Sequence, residues 1–93
     1  MRRSVYVSAA ARLGIERLHD WLFEKNPNAA LRLIAVLDAH LEGLVDFSER
    51  GRIVGDGVRE LIVRFGGANY VIRYDVAPEG VAIARVWHGL ENR

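Results

Sequence analysis

The stretch GVRELIVRFGGANYVIRYDV, residues 57–76, consists of two apolar runs joined by a pair of glycines. In an extended chain side chains alternate in direction, so Arg59, Leu61, Val63 and Phe65 fall on one side of residues 58–65, and Val58, Glu60, Ile62 and Arg64 on the other. Over residues 70–76, Tyr70, Ile72, Tyr74 and Val76 form an apolar face and Val71, Arg73 and Asp75 a mixed one. A period of two on both sides of Gly66-Gly67, which can supply the positive φ values of a tight turn, predicts a β-hairpin. Pro78-Glu79-Gly80 supplies a second turn, and VAIARVW at 81–87 a third antiparallel strand.

Upstream the period changes. Residues 48–57, SERGRIVGDG, hold three glycines and mixed charge and read as a loop. Before it, Ala30, Leu33 or Ile34, Leu37, Leu41 and Leu44 recur at helical spacing, which predicts a helix from about residue 27 to about 45, opened by Pro27 at its first position. Ala11, Ile15, Leu18 and Leu22 lay a similar stripe along an earlier helix, with Trp21 beside it, Ser8 as N-cap and an end near Lys25. Gly14 interrupts that helix at a cost of about 1 kcal/mol relative to Ala, which suggests a close helix crossing. Residues 3–7 form a short first strand. The connection at Asn26 is too short for anything but an antiparallel helix hairpin.

The expected architecture is a two-layer α+β domain over residues 1–93, ordered β-α-α-β-β-β, with the helix hairpin covering one face of an antiparallel sheet. The other face has no third layer, and function is expected there.

Bulk properties exclude several classes. A chain of 93 residues fits one small domain, and 51% hydrophobic residues can supply its core. Thirteen basic and twelve acidic groups give a net charge of +1, too balanced for a general polyanion binder, so any cationic site must be local. With no cysteine there is no disulfide and no thiolate chemistry. The arginines at 2 and 3 precede no apolar core segment of a signal peptide, and charges interrupt every run well before the roughly 20 apolar residues needed to span a bilayer. A cytoplasmic protein without cofactor or metal is expected.

Few residues stand out chemically. His19 and His40 lie within the two helices, with no spacing that suggests a metal site. His88, at the end of the last strand, is the one acid–base candidate, since an imidazole titrates near neutrality. Arg59 and Glu60 are adjacent and so point to opposite faces, one of them making a structural ion pair or cap. Arg64, Arg73 and Arg85 sit on three different strands as surface candidates, with cross-strand pairing to Asp75 or Glu60 as the plainer role. Trp87 fits the core, or an interface anchor if exposed.

The element order, the GVRELIV and YVIRYDV strands and the closing ARVWHG together resemble the ParE/RelE superfamily of toxins from type II toxin–antitoxin systems. The similarity runs over nearly the whole chain and is closer to the ParE branch. For that branch the resemblance implies a protein that poisons DNA gyrase and is neutralised by a cognate, ParD-like antitoxin folding on binding; for the RelE branch it implies an endonuclease acting on mRNA in the ribosome. RelE-like catalysis is associated with lysines and arginines on the sheet and a C-terminal tyrosine. Here the corresponding positions read Glu60, Ile62 and Val71, and no tyrosine follows Tyr74.

The first reading is therefore a gyrase-binding toxin without catalytic residues, with Arg59, Arg64, Arg73, Arg85, Trp87 and His88 as partner-binding candidates. The second is an endonuclease using Arg73, Arg85 and His88. The third is a degenerate member that only binds its antitoxin.

Overall fold

The computed structural model describes residues 4–91. Its elements are β1 (Ser4–Val7), α1 (Ala9–Lys25), α2 (Pro27–Gly43), β2 (Arg52–Gly55), β3 (Val58–Phe65), β4 (Ala68–Ala77) and β5 (Gly80–His88). Arg3, expected to open the first strand, lies outside the described residues.

Ser8 joins β1 to α1 and fixes both to the sheet. Its hydroxyl accepts the Ala11 N–H and donates to the Ala84 carbonyl, each at 3.0 Å, while its own N–H donates to the Ile83 carbonyl. One residue thereby caps the helix and anchors it to β5. Asn26 works similarly at the helix hairpin: its N–H donates to the Leu22 carbonyl at 2.7 Å, ending α1, and its side chain accepts the Ala29 N–H at 3.1 Å, starting α2. With Pro27 following, one residue turns the chain around. Helix α2 ends at Gly43, short of the expected 45, because Leu44, Val45 and Asp46 bond to the carbonyls three residues back and tighten the chain into turns.

The hairpin forms as its sequence dictates. Phe65 pairs with Ala68, leaving a two-residue loop in which Gly66 and Gly67 have φ of 60° and 79°. Two consecutive positive φ values are the mark of a type I′ turn, which only residues tolerant of that region adopt cheaply.

The sheet has five strands in the order β1-β5-β4-β3-β2, with β1 parallel to β5 and the other neighbours antiparallel. One of these strands corrects the sequence reading. The expected loop 48–57 contains β2, which pairs with β3 from Arg52↔Glu60 to Gly55↔Val58. All its residues are exposed, so pairing alone makes it a strand and no alternation of apolar side chains announces it.

The helices bury their stripes on one face of the sheet. Ala11 and Leu18 of α1, and Leu33, Leu37, Leu41 and Leu44 of the second stripe, meet Leu61, Val63, Tyr70, Ile72, Tyr74, Val81, Ile83 and Val86. Each fully buried Leu or Ile contributes about 1.5–3 kcal/mol over its exposed state, so this layer is the main source of stability. Gly14 marks a close approach to β5 rather than the helix crossing its sequence position suggested: a Cβ there would stand 2.3 Å from the Val86 carbonyl oxygen.

Strand β5 contains an irregularity that governs the site. Arg73 is paired with Arg85 but Tyr74 with Ile83, so Ala84 is an extra residue without an opposite number. This β-bulge reverses the alternation. Val81 and Ile83 face the helices before it, and Val86 and His88 after it; Arg85 and Trp87 point to the open face.

Candidate functional site

The open face carries a line of directly opposed residues across four strands: Arg52, Glu60, Arg73 and Arg85. Arg73 donates from Nε at 2.9 Å and from Nη2 at 2.5 Å to Oε2 of Glu60, whose residue is 9% exposed. The Arg73 guanidinium also lies 5.1 Å from the Trp87 ring centre, within cation–π range. Its charge is therefore committed to an internal pair. The expected cross-strand partnership with Glu60 is present, and a charged side chain as buried as Glu60 requires such a partner.

Arg64 and Arg85 are exposed on this face, and neither makes a hydrogen bond or ion pair among the described residues. Trp87 is on the open face but only 2% exposed, so its ring offers a partner almost no surface in this conformation. Arg59 faces the other way. Its Nη1 donates to the carbonyls of Glu49 at 3.2 Å and Gly51 at 2.8 Å, and the Tyr74 hydroxyl accepts the Gly51 N–H at 2.7 Å. Arg59 and Tyr74 together tie down the segment that leads into β2. Glu60 and Arg59 thus both have structural roles, on opposite faces as adjacent strand residues must.

His88 stands on the helix side of the sheet. Its ring meets Tyr70 edge-on at 5.1 Å between centres, and its Nδ1 accepts the Leu90 N–H at 3.1 Å, which leaves the neutral ring's proton on Nε2. Burial raises the Tyr70 phenol above its ordinary pKa of 10.0. The sequence therefore gives three candidates that the fold separates: Arg73 and Arg85 are neighbours on the open face, and His88 projects from the opposite one.

A second constellation surrounds His88 that the sequence reading did not single out. Glu91 Oε2 accepts the His88 backbone N–H at 2.7 Å, and its Oε1 meets Arg17 Nη2 at 2.6 Å. Beside this pair a cleft of about 360 Å³ is lined by Arg17, Leu18, Trp21, His88, Leu90 and Glu91. Lys25 Nζ lies 4.4 Å from the Trp21 ring centre. The only sequence signal was Trp21 standing beside the apolar stripe of its helix.

The remaining histidines have ordinary partners. His19 contacts Asp20 at 3.1 Å and His40 contacts the Val36 carbonyl at 2.9 Å. No group of three or more His, Cys, Asp or Glu side chains could hold a metal among the described residues. No described helix is long and apolar enough to cross a membrane.

Comparison with known proteins gives this arrangement a family. The model of the ParE toxin of type II toxin–antitoxin system, parDE, matches residues 5–93. Toxin RelE1 of Caulobacter vibrioides is 44% identical over 93 residues, covering 100% of both chains. Toxin RelE3 of the same organism is 40% identical over 91 residues, covering 98% of this chain and 99% of the relative. Among solved structures, a chain of the chromosomal ParDE TA system from P. aeruginosa superposes with a TM-score of 0.77 over 94% of this chain and 96% of that one; at 20% identity the likeness is one of fold. A match of this extent, carried on the β-α-α-β-β-β-β architecture described above, places the chain in the ParE toxin family of type II toxin–antitoxin systems.

Proposed function

We propose that this chain is a toxin that acts by binding rather than by catalysis: residues 1–93 form one toxin domain that engages DNA gyrase in the cytoplasm, stabilises its DNA-cleaved state, and is released from that role when a cognate ParD-like antitoxin sequesters it. The observation that carries the reading is the division of Arg73, Arg85 and His88 between two faces of the sheet, with Arg73 bound to Glu60. Cleaving RNA by attack of its own 2′-hydroxyl needs a base, an acid and cationic stabilisation of the phosphate at one point in space. Two arginines alone supply the last of these. Binding makes no such demand, and Arg64 and Arg85 can meet a partner without giving up a hydrogen bond or ion pair to any described residue.

An antitoxin suits the exposed apolar side chains. Leu13, Trp21, Phe23 and Leu31 stand out from the helix hairpin, and Phe47 and Ile53 from the region of β2. A segment that folds as it binds can cover surfaces this far apart.

The test is a gyrase supercoiling assay with the purified chain, scoring loss of supercoiling and accumulation of linear plasmid with and without antitoxin. Antitoxin-reversible inhibition with linear product is the expected result, weakened by Arg64→Ala/Arg85→Ala. Unimpaired gyrase at a large excess of toxin refutes the reading. Cleavage of mRNA on programmed ribosomes, lost in His88→Ala, would replace it with the endonuclease.

A further inference from the structure

The end of β5 has an open edge. Strand β1 accompanies β5 only from Gly80 to Ile83, so among the described residues no strand lies beside the backbone beyond the bulge on that side. An unpaired edge N–H needs an acceptor. At His88 the acceptor is the Glu91 carboxylate, whose other oxygen meets Arg17. A backbone donor and a guanidinium converging on the two oxygens of one carboxyl group make a two-point carboxylate receptor. The chain occupies it with its own side chain, held across a short turn in which Glu91 N–H donates to the His88 carbonyl at 2.9 Å.

The neighbouring apolar wall is not occupied in the same way. Leu90, the residue beside the bound carboxylate, is 90% exposed, and Trp21 is 53% exposed across the cleft. A cleft that holds a carboxylate at one end and leaves aliphatic and indole surface open at the other can accept a ligand with both features. The surrounding charge agrees: Arg17 and Lys25 flank Trp21 on α1, each one helical turn away at four-residue spacing.

We infer that Arg17, the His88 backbone N–H and the Leu18–Trp21 wall form a receptor for an acidic polypeptide segment, one presenting a carboxylate beside an aliphatic side chain, and that Glu91 is its internal placeholder. A partner must displace Glu91 before binding. The tether gives Glu91 a high effective concentration, so the wild-type site is masked and removal of the Glu91 carboxylate opens it. The site stands independently of the gyrase reading, since it concerns the helix-side cleft and not the open face.

The experiment is an NMR titration of the Glu91→Ala protein with Ac-Gly-Leu-Glu-Asn-NH2, the sequence of residues 89–92. It follows the His88 backbone amide and the Trp21 indole N–H. Saturable shifts at peptide concentrations on the order of millimolar are expected, as befits a small ligand. The Gln-containing peptide should bind about five- to tenfold more weakly, the loss from removing one charge-assisted contact. The wild-type protein should respond less than Glu91→Ala, and Arg17→Ala/Glu91→Ala not at all. Equal binding of the Glu and Gln peptides, or the absence of shifts in a folded Glu91→Ala protein, overturns the receptor. A wild-type response as strong as that of the variant overturns the placeholder.

Discussion

Substituting Gly14 by Ala sets two known effects against each other, and the geometry decides the sign. In an exposed helix the change stabilises by about 1 kcal/mol, because Ala loses less backbone entropy. Here the added Cβ would stand 2.3 Å from the Val86 carbonyl oxygen, an atom of the sheet backbone that no side-chain rotation can move. Relief requires α1 to withdraw from β5 by about 1 Å, and a gap of that size forfeits a quarter to a half of the dispersion attraction across the contact. Overpacking costs about 1–3 kcal/mol, and a rigid backbone neighbour argues for the upper end. A cost of about 3 kcal/mol less a gain of about 1 leaves a net loss of about 2 kcal/mol. For a domain this size that lowers Tm by about 8–16 °C. Thermal unfolding followed by circular dichroism measures it, with Glu16→Ala on the exposed side of the same helix as the control. A Gly14→Ala protein as stable as the wild type, or more so, refutes the proposed close contact between α1 and β5.

Other contacts give predictions of their own. Tyr74→Phe leaves the buried Gly51 N–H without its acceptor and should cost about 1–3 kcal/mol in urea unfolding. Unchanged stability would mean that the Tyr74 hydroxyl does not help to hold the segment before β2. Ser8→Ala removes both the helix cap and the bond to Ala84, so a loss of about 1–2 kcal/mol is expected, with Ser8→Gly milder. Tyr70 should ionise above pH 10 in the folded protein, seen as the tyrosinate absorbance missing from Tyr70→Phe. Since its folded pKa is raised, its contribution is fully present below pH 10 and lost as pH rises through the folded value, so alkaline unfolding should begin later in Tyr70→Phe. A Tyr70 midpoint at or below 10 would contradict its burial.

Local chemistry explains why some elements were legible in the sequence. Both helices follow from the repeat of Ala11, Leu18, Leu33, Leu37 and Leu41, and their limits from Ser8 and Asn26, whose side chains bond to the nearest backbone. The β3–β4 hairpin is equally local, being set by alternation and two glycines. What was hidden depends on the far partner. Strand β2 has no buried face and exists by pairing with β3. The placement of β1 beside β5 joins the two ends of the chain, and no pattern within either strand encodes it.

The candidate site divides in the same way. That Arg59 and Glu60 face opposite directions follows from their adjacency, and the pairing of Arg73 with Glu60 was among the cross-strand pairs that register permits. The separation of His88 from Arg73 and Arg85 was not legible, because it depends on the extra residue at Ala84. Nor was the grip of Glu91 on Arg17 and His88, which joins the first helix to the last described residues.

The extra residue at Ala84 also limits how residue roles can be transferred between relatives. Two chains aligned without a gap through β5 keep the same letters at Trp87 and His88, yet if one lacks the bulge those letters describe opposite sides of the sheet. An alignment score barely registers the difference, since one unpaired alanine contributes almost nothing to it. Comparisons of toxicity or partner choice among such proteins should therefore be grouped by whether the bulge is retained before they are grouped by the residues that follow it.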